Sequence, residues 1–259
     1  MPCYLRPAVK RLAILMPAFN EGDRLARTLA EIAGMSKSGS VSVSITVILV
    51  DDASDTPVDF ELAAKTLHEV HLVFARHVLN LGQGAALETA RRLALSIAPP
   101  FDAFVTMDAD GQHAATDVLA LADAIFQGAD IALGDRFGGA SNMPASRRLL
   151  LHLARHFERW TTGLRLSDAH NGLRGFSRRA MEQMRLRQNR MAHATEITHW
   201  IARHLSSRGT APKLGVVEVP VSIRYTDASL AKGQRATGAF AILADLVRAF
   251  FFGDQREAR

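Results

Sequence analysis

The chain reads as an α/β fold: a mostly parallel sheet flanked by helices, followed by a more helical C-terminal elaboration. Three observations predict it. SITVILV (44–50) is short, β-branched and nearly continuous in apolar character, as a strand buried on both faces would be. Stretches with apolar residues at helical spacing alternate with such runs, and strand–helix alternation builds a parallel sheet with helices on both faces. Three of the strands also end abruptly on polar, acidic segments (AFNEGDR, DDASD and DADGQH), and open parallel sheets bind ligands beyond the carboxyl ends of their strands.

In order, LAILMP (12–17) is the first strand, and Asp23 is placed to cap a helix that carries Leu25, Leu29 and Ile32 at i, i+4, i+7. The Ser-rich KSGSVSVS (37–44) is a loop leading into SITVILV. DFELAAKTLHEV, HLVFARH and GAALETARRLALSI continue as helix, strand and helix, and FDAFVTMD follows as a strand. A helix over 116–127 precedes a strand in ADIALGDR (129–136). From about 140 the chain is more helical and richer in Arg, and KLGVVEVPVSIRY (213–225) is its one strong strand signal. No internal repeat or low-complexity tract interrupts the pattern, so a single domain over 1–259 is expected.

Composition narrows the function. At 259 residues the chain can bury a sizeable core, and its formal charge of +5 favours anionic partners. The single Cys3 rules out an internal disulfide and a Cys-rich metal site, which fits a cytoplasmic protein. No apolar stretch reaches the ~20 residues that span a bilayer, and no signal peptide is visible. AFAILADLVRAFFF (239–252) reads as an amphipathic helix interrupted by Asp245 and Arg248, packed on its own domain or lying on a membrane surface.

The strand ends gather Asn20, Glu21, Asp51, Asp52, Asp108 and Asp110 on one sheet edge. Carboxylates collected there repel one another unless something cationic or hydrogen-bonding stands between them. Mg²⁺ or Mn²⁺ suits that role, because both prefer carboxylate oxygen and Mg²⁺ keeps positions open for substrate phosphates. NLGQGAAL (80–87) has the look of a phosphate-binding loop, with Gly84 as a candidate contact; read plainly, it is a turn that starts a helix near Gly84. There is no Gly-x-x-x-x-Gly-Lys loop, no Gly-x-Ser-x-Gly elbow and no His-Glu-x-x-His pair. His193 and His199 flank Glu196 without a third ligand, so a zinc site is not expected there.

Taken together, PAFNE, VDDAS, NLGQGAAL, MDADGQH, LGDRF and NGLRGFSR resemble the inverting glycosyltransferases of family 2, with the GT-A fold, over about residues 11 to 225. The set is most similar to the dolichyl-phosphate-mannose synthase-like, polyprenyl-phosphate branch. The resemblance implies that Pro17, Asn20 and Glu21 line a nucleotide pocket and that Asp52 binds the base or ribose, with Asp51 beside it. It implies Asp108, Asp110 and Gln112 around a Mg²⁺ or Mn²⁺ and the diphosphate of a nucleotide-sugar donor, and Arg136 at the donor sugar or a phosphate. Residues 11–136 would form the donor half, 137–236 the acceptor half, and 237–252 an appended helix.

On the acceptor side the resemblance implies a polyprenyl phosphate or another membrane-associated glycan, met at the inner face of the membrane, and no nucleic acid. The segment SIRYTDASLAKGQ offers Arg224 and Lys232 to an anionic acceptor, although Asp227 and Ala228 depart from a simple basic loop. A saccharide hydroxyl as acceptor would instead require a general base, for which Asp168 and Glu196 are the candidates. A nucleotide-sugar-binding protein without transfer activity is the remaining alternative.

Overall fold

The computed structural model describes residues 9–35, 43–138, 168, 171–189, 192–205 and 213–224. Its strands are β1 (Lys10–Ala18), β2 (Val43–Asp51), β3 (His71–Arg76), β4 (Ala103–Thr106), β5 (Ile131–Asp135), β6 (Arg174–Ser177) and β7 (Val216–Pro220). Helices α1 (Asp23–Met35), α2 (Phe60–Leu67), α3 (Gln83–Ser96) and α4 (Ala115–Phe126) alternate with the first five strands. Helices α5 (Arg178–Gln183) and α6 (Ala192–Leu205) follow β6. The strands form one sheet in the order β3-β2-β1-β4-β6-β5-β7, parallel except where β6 runs antiparallel between β4 and β5.

The period of two along β1 explains why this strand must be central. Leu12, Ile14 and Met16 point into one core with Leu25, Leu29 and Ile32 of α1 and Val118 and Leu121 of α4. Ala13 and Leu15 point into the other, with Ala86, Ala90 and Ala94 of α3 and Ile197 and Ile201 of α6. The alanine stripe lets α3 lie close to the sheet. Asp23 is the first residue of α1 and follows Gly22 in a left-handed conformation, so it supplies charge to the first turn instead of capping it. The strong apolar run 213–225 forms a strand over five residues only; beyond it Ile223 bridges to His113. Of the Ser-rich loop, Val43 and Ser44 already belong to β2, while 37–42, the segment 140–167 and the amphipathic stretch 239–252 lie outside the described residues.

Gly84 is a packing glycine, so any part it has at the substrate would be through its backbone. A Cβ there would lie 2.1 Å from the carbonyl oxygen of Gln188 and 2.9 Å from the Cβ of His193. The α3 backbone and the segment before α6 therefore meet at van der Waals distance, and only a hydrogen fits between them. Gly84→Ala should cost about 1–3 kcal/mol, measured as a lower urea midpoint with unchanged m-value.

One turn further along α3, Glu88 receives Arg91 at 2.7 and 2.8 Å, Arg92 at 2.8 Å and the Leu186 N–H at 3.2 Å. Burial works against its ionisation, but these donors win and hold its pKa at about 2. A carboxyl lowered in the folded state adds stability above its unfolded pKa and loses it as pH falls. The advantage of wild type over Glu88→Gln should therefore be about 1–2 kcal/mol at neutral pH, allowing for solvent screening. It should shrink from pH 4.5 downward and vanish near pH 2, and a gap that does not change with pH would rule the ion cluster out as its source.

Candidate functional site

The chain leaves β1 toward β2 on one side and later returns as β4 on the other. This is the switch point at which an open α/β sheet leaves a crevice. A cleft of about 360 Å³ lies there. Pro17, Phe19 and Glu21 line it after β1, Asp52 after β2, and Asp108 and Asp110 after β4. Asn80, Gly82 and Gln83 line it from the turn that opens α3.

Asp51 and Asp52 part company at the end of β2. The Asp51 side chain is buried under the β2–α2 connection, where it accepts from Ser54 N at 2.9 Å and pairs with Arg76 Nε at 3.1 Å. It does not line the cleft, so its expected place beside the nucleotide is corrected to holding the loop. Asp52 does line the cleft and accepts from His77 Nδ1 at 2.7 Å, Leu81 N at 3.0 Å and Gly82 N at 2.7 Å.

The side chain of Asn20 is also turned away from the cleft. Its Nδ2 donates to Asp55 Oδ2 and its Oδ1 accepts from Asp55 N, both at 2.9 Å, while its own N–H donates to Ser54 Oγ. This reciprocal pair clasps the loops after β1 and β2, with Asn20 and Ala53 both held at positive φ. Asn20 thus shapes the cleft from behind, which corrects its reading as a lining residue; Glu21 stays on the wall, paired with Arg24 at 2.8 Å.

At the end of β4, Asp108 Oδ1 accepts from Gln83 Nε2 at 2.7 Å, and Oδ2 lies 3.7 Å from His113 Nε2. Asp110 accepts from Gln112 N at 3.0 Å and Gln112 Nε2 at 2.6 Å. Burial opposes ionisation of both carboxyls. For Asp108 the facing His113 outweighs burial, with His193 and Arg174 adding to it, and its pKa falls below the ordinary value. For Asp110 burial is joined by the charge of Asp108, and its pKa rises despite the bonds from Gln112. Among the described residues no three His, Cys, Asp or Glu side chains form a metal cage. Two carboxylates two residues apart nevertheless match the hard donor set of a Mg²⁺ that takes its other ligands from phosphate and water. The residues present fit the group.

Further along the edge, Arg136 and Asp168 are brought together. Asp168 Oδ2 accepts from Arg136 Nε at 2.5 Å, Arg136 N at 3.2 Å and Asn171 Nδ2 at 3.1 Å, all three residues being buried. Gly172, next in the chain, lies directly against Asp108: a Cβ on it would be 2.5 Å from Oδ2. Its carbonyl accepts from Thr106 Oγ1 at 2.7 Å. The donors on Oδ2 tie the Asp168 carboxylate to Arg136 and Asn171. Glu196 accepts from the N–H groups of Arg187 and Gln188 at 2.9 to 3.0 Å, so it secures the chain ahead of α6.

The side chain of Arg224 pairs with Glu31 of α1 at 2.5 Å, while its N–H donates to the Gln112 carbonyl at 2.9 Å. Arg224 is thus fastened to the loop that carries Asp110. Lys232 itself lies outside the described residues. Sequence reasoning passed over Gln83, His77 and Asn171. Gln83 had a signal, since it stands in the Gly loop that was read as a plain helix start; α3 does start there, and its first side chain reaches Asp108.

The family model for Glycosyl transferase family 2 matches residues 13–185. The polyprenol monophosphomannose synthase of Mycolicibacterium smegmatis is 26% identical over 239 residues, covering 89% of this chain and 83% of that protein. The UDP-N-acetylglucosamine–dolichyl-phosphate N-acetylglucosaminyltransferase of Methanococcus voltae is 25% identical over 259 residues, covering 91% and 94%. Among solved structures, glucosyl-3-phosphoglycerate synthase from Mycobacterium tuberculosis, in complex with Mg²⁺ and uridine-diphosphate, superposes with a TM-score of 0.57 at 17% identity. That match covers 92% of this chain and 79% of that one, a likeness in fold. With the family model spanning most of the sheet and the whole cleft, the chain belongs to glycosyltransferase family 2, on the side of the dolichyl-phosphate-mannose synthase-like branch, and is a glycosyltransferase with the GT-A fold.

Proposed function

We propose that this glycosyltransferase is metal-dependent and inverting, and that it moves a sugar from a nucleotide-sugar donor to a polyprenyl phosphate. The observation that carries the reading is the cleft itself, with Asp52 toward β2, Asp108 and Asp110 past β4, and the start of α3 between them. The nucleoside would lie toward Asp52, between Pro17 and Glu21, and the diphosphate toward Asp108. Helix α3 opens at Gly82 without a side-chain cap, so its first N–H groups and dipole favour an anion there. Asp108 and Asp110, with Gln112, would hold Mg²⁺ or Mn²⁺, which when bound supplies positive charge to the leaving diphosphate. Arg136 is spoken for by Asp168, so its part is to hold the 168–172 segment against Asp108.

The chain would act as one domain, its donor half at about 11–136 and its acceptor half at about 137–236. The acceptor is the finer part of the proposal. A hydroxyl must lose a proton to a base, whereas a phosphate is already an anion. Asp168 is tied to Arg136 and Glu196 to two backbone N–H groups, and neither is poised as that base. The names of the relatives point the same way. No helix among the described residues is long and apolar enough to cross a membrane. The lipid would be met peripherally, at the cytoplasmic face, by the segment from Arg224 to Lys232.

A thermal-shift panel of nucleoside diphosphates, with and without Mn²⁺, tests the donor site. One nucleotide should stabilise the protein only when Mn²⁺ is present, by about 2.7 kcal/mol at 100 times its dissociation constant. Equal shifts with and without the ion would remove the metal from the proposal. Arg224→Ala should then cut transfer to polyprenyl phosphate roughly tenfold or more while leaving donor binding unchanged, since charge-assisted contacts are of that size. Unimpaired transfer by that variant would count against the anionic acceptor segment.

A further inference from the structure

Beneath the cleft runs a chain of hydrogen bonds from α3 to the nucleoside end of the site. His77 places Nε2 2.9 Å from Thr89 Oγ1 and Nδ1 2.7 Å from Asp52 Oδ1. An ionised carboxylate only accepts, so Nδ1 carries the proton, and in the neutral ring Thr89 donates to Nε2. The same carboxylate receives the N–H groups of Leu81 and Gly82, and the Asp52 carbonyl receives Asn80 Nδ2 at 3.2 Å. Gln83, the next residue, donates to Asp108. Packing does little to order this turn, because Val78 is 99% and Leu79 60% exposed, and Gly82 sits at φ +96°. A segment with so few buried contacts keeps its shape through its hydrogen bonds.

We propose that His77 is a positioning residue of the donor site: through Nδ1 it fixes Asp52, and through Asp52 it fixes the 80–83 turn that carries Gln83 to Asp108. The inference rests on the reading of the cleft as a nucleotide-sugar site and adds the element that joins its two ends. Without the ring, the Asp52 carboxylate loses one of its three donors and the constraint on its rotation. The backbone of Leu81 and Gly82 then loses its anchor, and Gln83 its aim. Nothing in this role requires His77 to touch the donor.

Two isosteric variants separate this role from a plain structural one. His77→Asn can place an amide N–H where Nδ1 stands, toward Asp52, whereas His77→Gln can place one where Nε2 stands, toward Thr89. His77→Gln is expected to raise the dissociation constant for the nucleoside diphosphate that binds in Mn²⁺ by 10- to 100-fold, the size of a lost hydrogen bond to a charged group. KM for the donor should rise with it, with little change in kcat at saturation. His77→Asn should restore affinity to within about threefold, and Thr89→Val, which cuts only the far bond, should leave it unchanged. In the ligand-free protein, amide exchange at Leu81 and Gly82 should quicken at least tenfold in His77→Gln and not in His77→Asn.

Wild-type affinity and wild-type exchange in His77→Gln would overturn the proposal, as would an equal loss in Thr89→Val. If no nucleoside diphosphate binds wild type while exchange follows the expected order, the clamp stands and the donor reading of the cleft falls.

Discussion

Asp110→Asn is expected to abolish Mn²⁺-dependent nucleotide binding and to lower kcat/KM roughly 100-fold or more, in a protein at least as stable as wild type. The two halves of that expectation have one cause. Burial and the charge of Asp108 push the Asp110 carboxyl above its ordinary pKa, so its ionisation disfavours the ligand-free fold. A carboxyl raised in this way subtracts stability as pH rises through its unfolded value, and replacing it by an amide removes that penalty at neutral pH. The amide keeps the shape, and its oxygen can still accept from Gln112 N. What it loses is the negative charge that a divalent cation needs beside Asp108. A site that costs stability until its ligand arrives is a common mark of function. The measurement is thermal unfolding of both proteins with and without Mn²⁺ and nucleoside diphosphate. A Mn²⁺-dependent shift that survives in the variant would remove Asp110 from the metal site.

Much of this arrangement is legible in the sequence, and the parts that are not share a physical reason. Strands such as 44–50 declare themselves because burial on both faces demands an apolar run whatever lies next to it. Strand β6, RGFS, does not, since four residues with one good strand former become a strand only between β4 and β5. Asp51 and Asp52 look equivalent as letters. They diverge because successive residues of an extended chain point to opposite sides, and which side faces the cleft depends on the register of β2 on β1. The packing of Gly84 and the ties of Glu88 are hidden from local sequence for a similar reason. Each answers to the chain at 186–189, which packs on α3 from about a hundred residues away. Spacing along one strand end could place Asp108, Asp110 and Gln112 together; it could not show that Gln83 completes the group from a different element.

The largest stability effect is expected at Asp168, and it separates the two readings of the acceptor. Asp168 is 6% exposed and its partner Arg136 9%, so the pair is buried, and its three hydrogen bonds all converge on Oδ2. Breaking a buried pair from one side costs far more than the pair contributes, because the remaining charge keeps its desolvation penalty. Asp168→Asn should therefore lower unfolding free energy by about 3 kcal/mol. The damage should also spread to Asp108. Asn171, which donates to Asp168, accepts from Leu173 N, and between them Gly172 lies against the Asp108 carboxylate. Donor binding should weaken together with stability, and transfer should fall alike with a polyprenyl phosphate and with a saccharide acceptor. A general base behaves otherwise: its amide variant folds as stably as wild type, binds donor normally and fails only where a hydroxyl must be deprotonated. Urea unfolding, nucleotide titration and transfer to both acceptors on the one variant decide between the two. A stable Asp168→Asn protein that binds donor and has lost only transfer to the saccharide would make Asp168 the base and retire the lipid-phosphate acceptor.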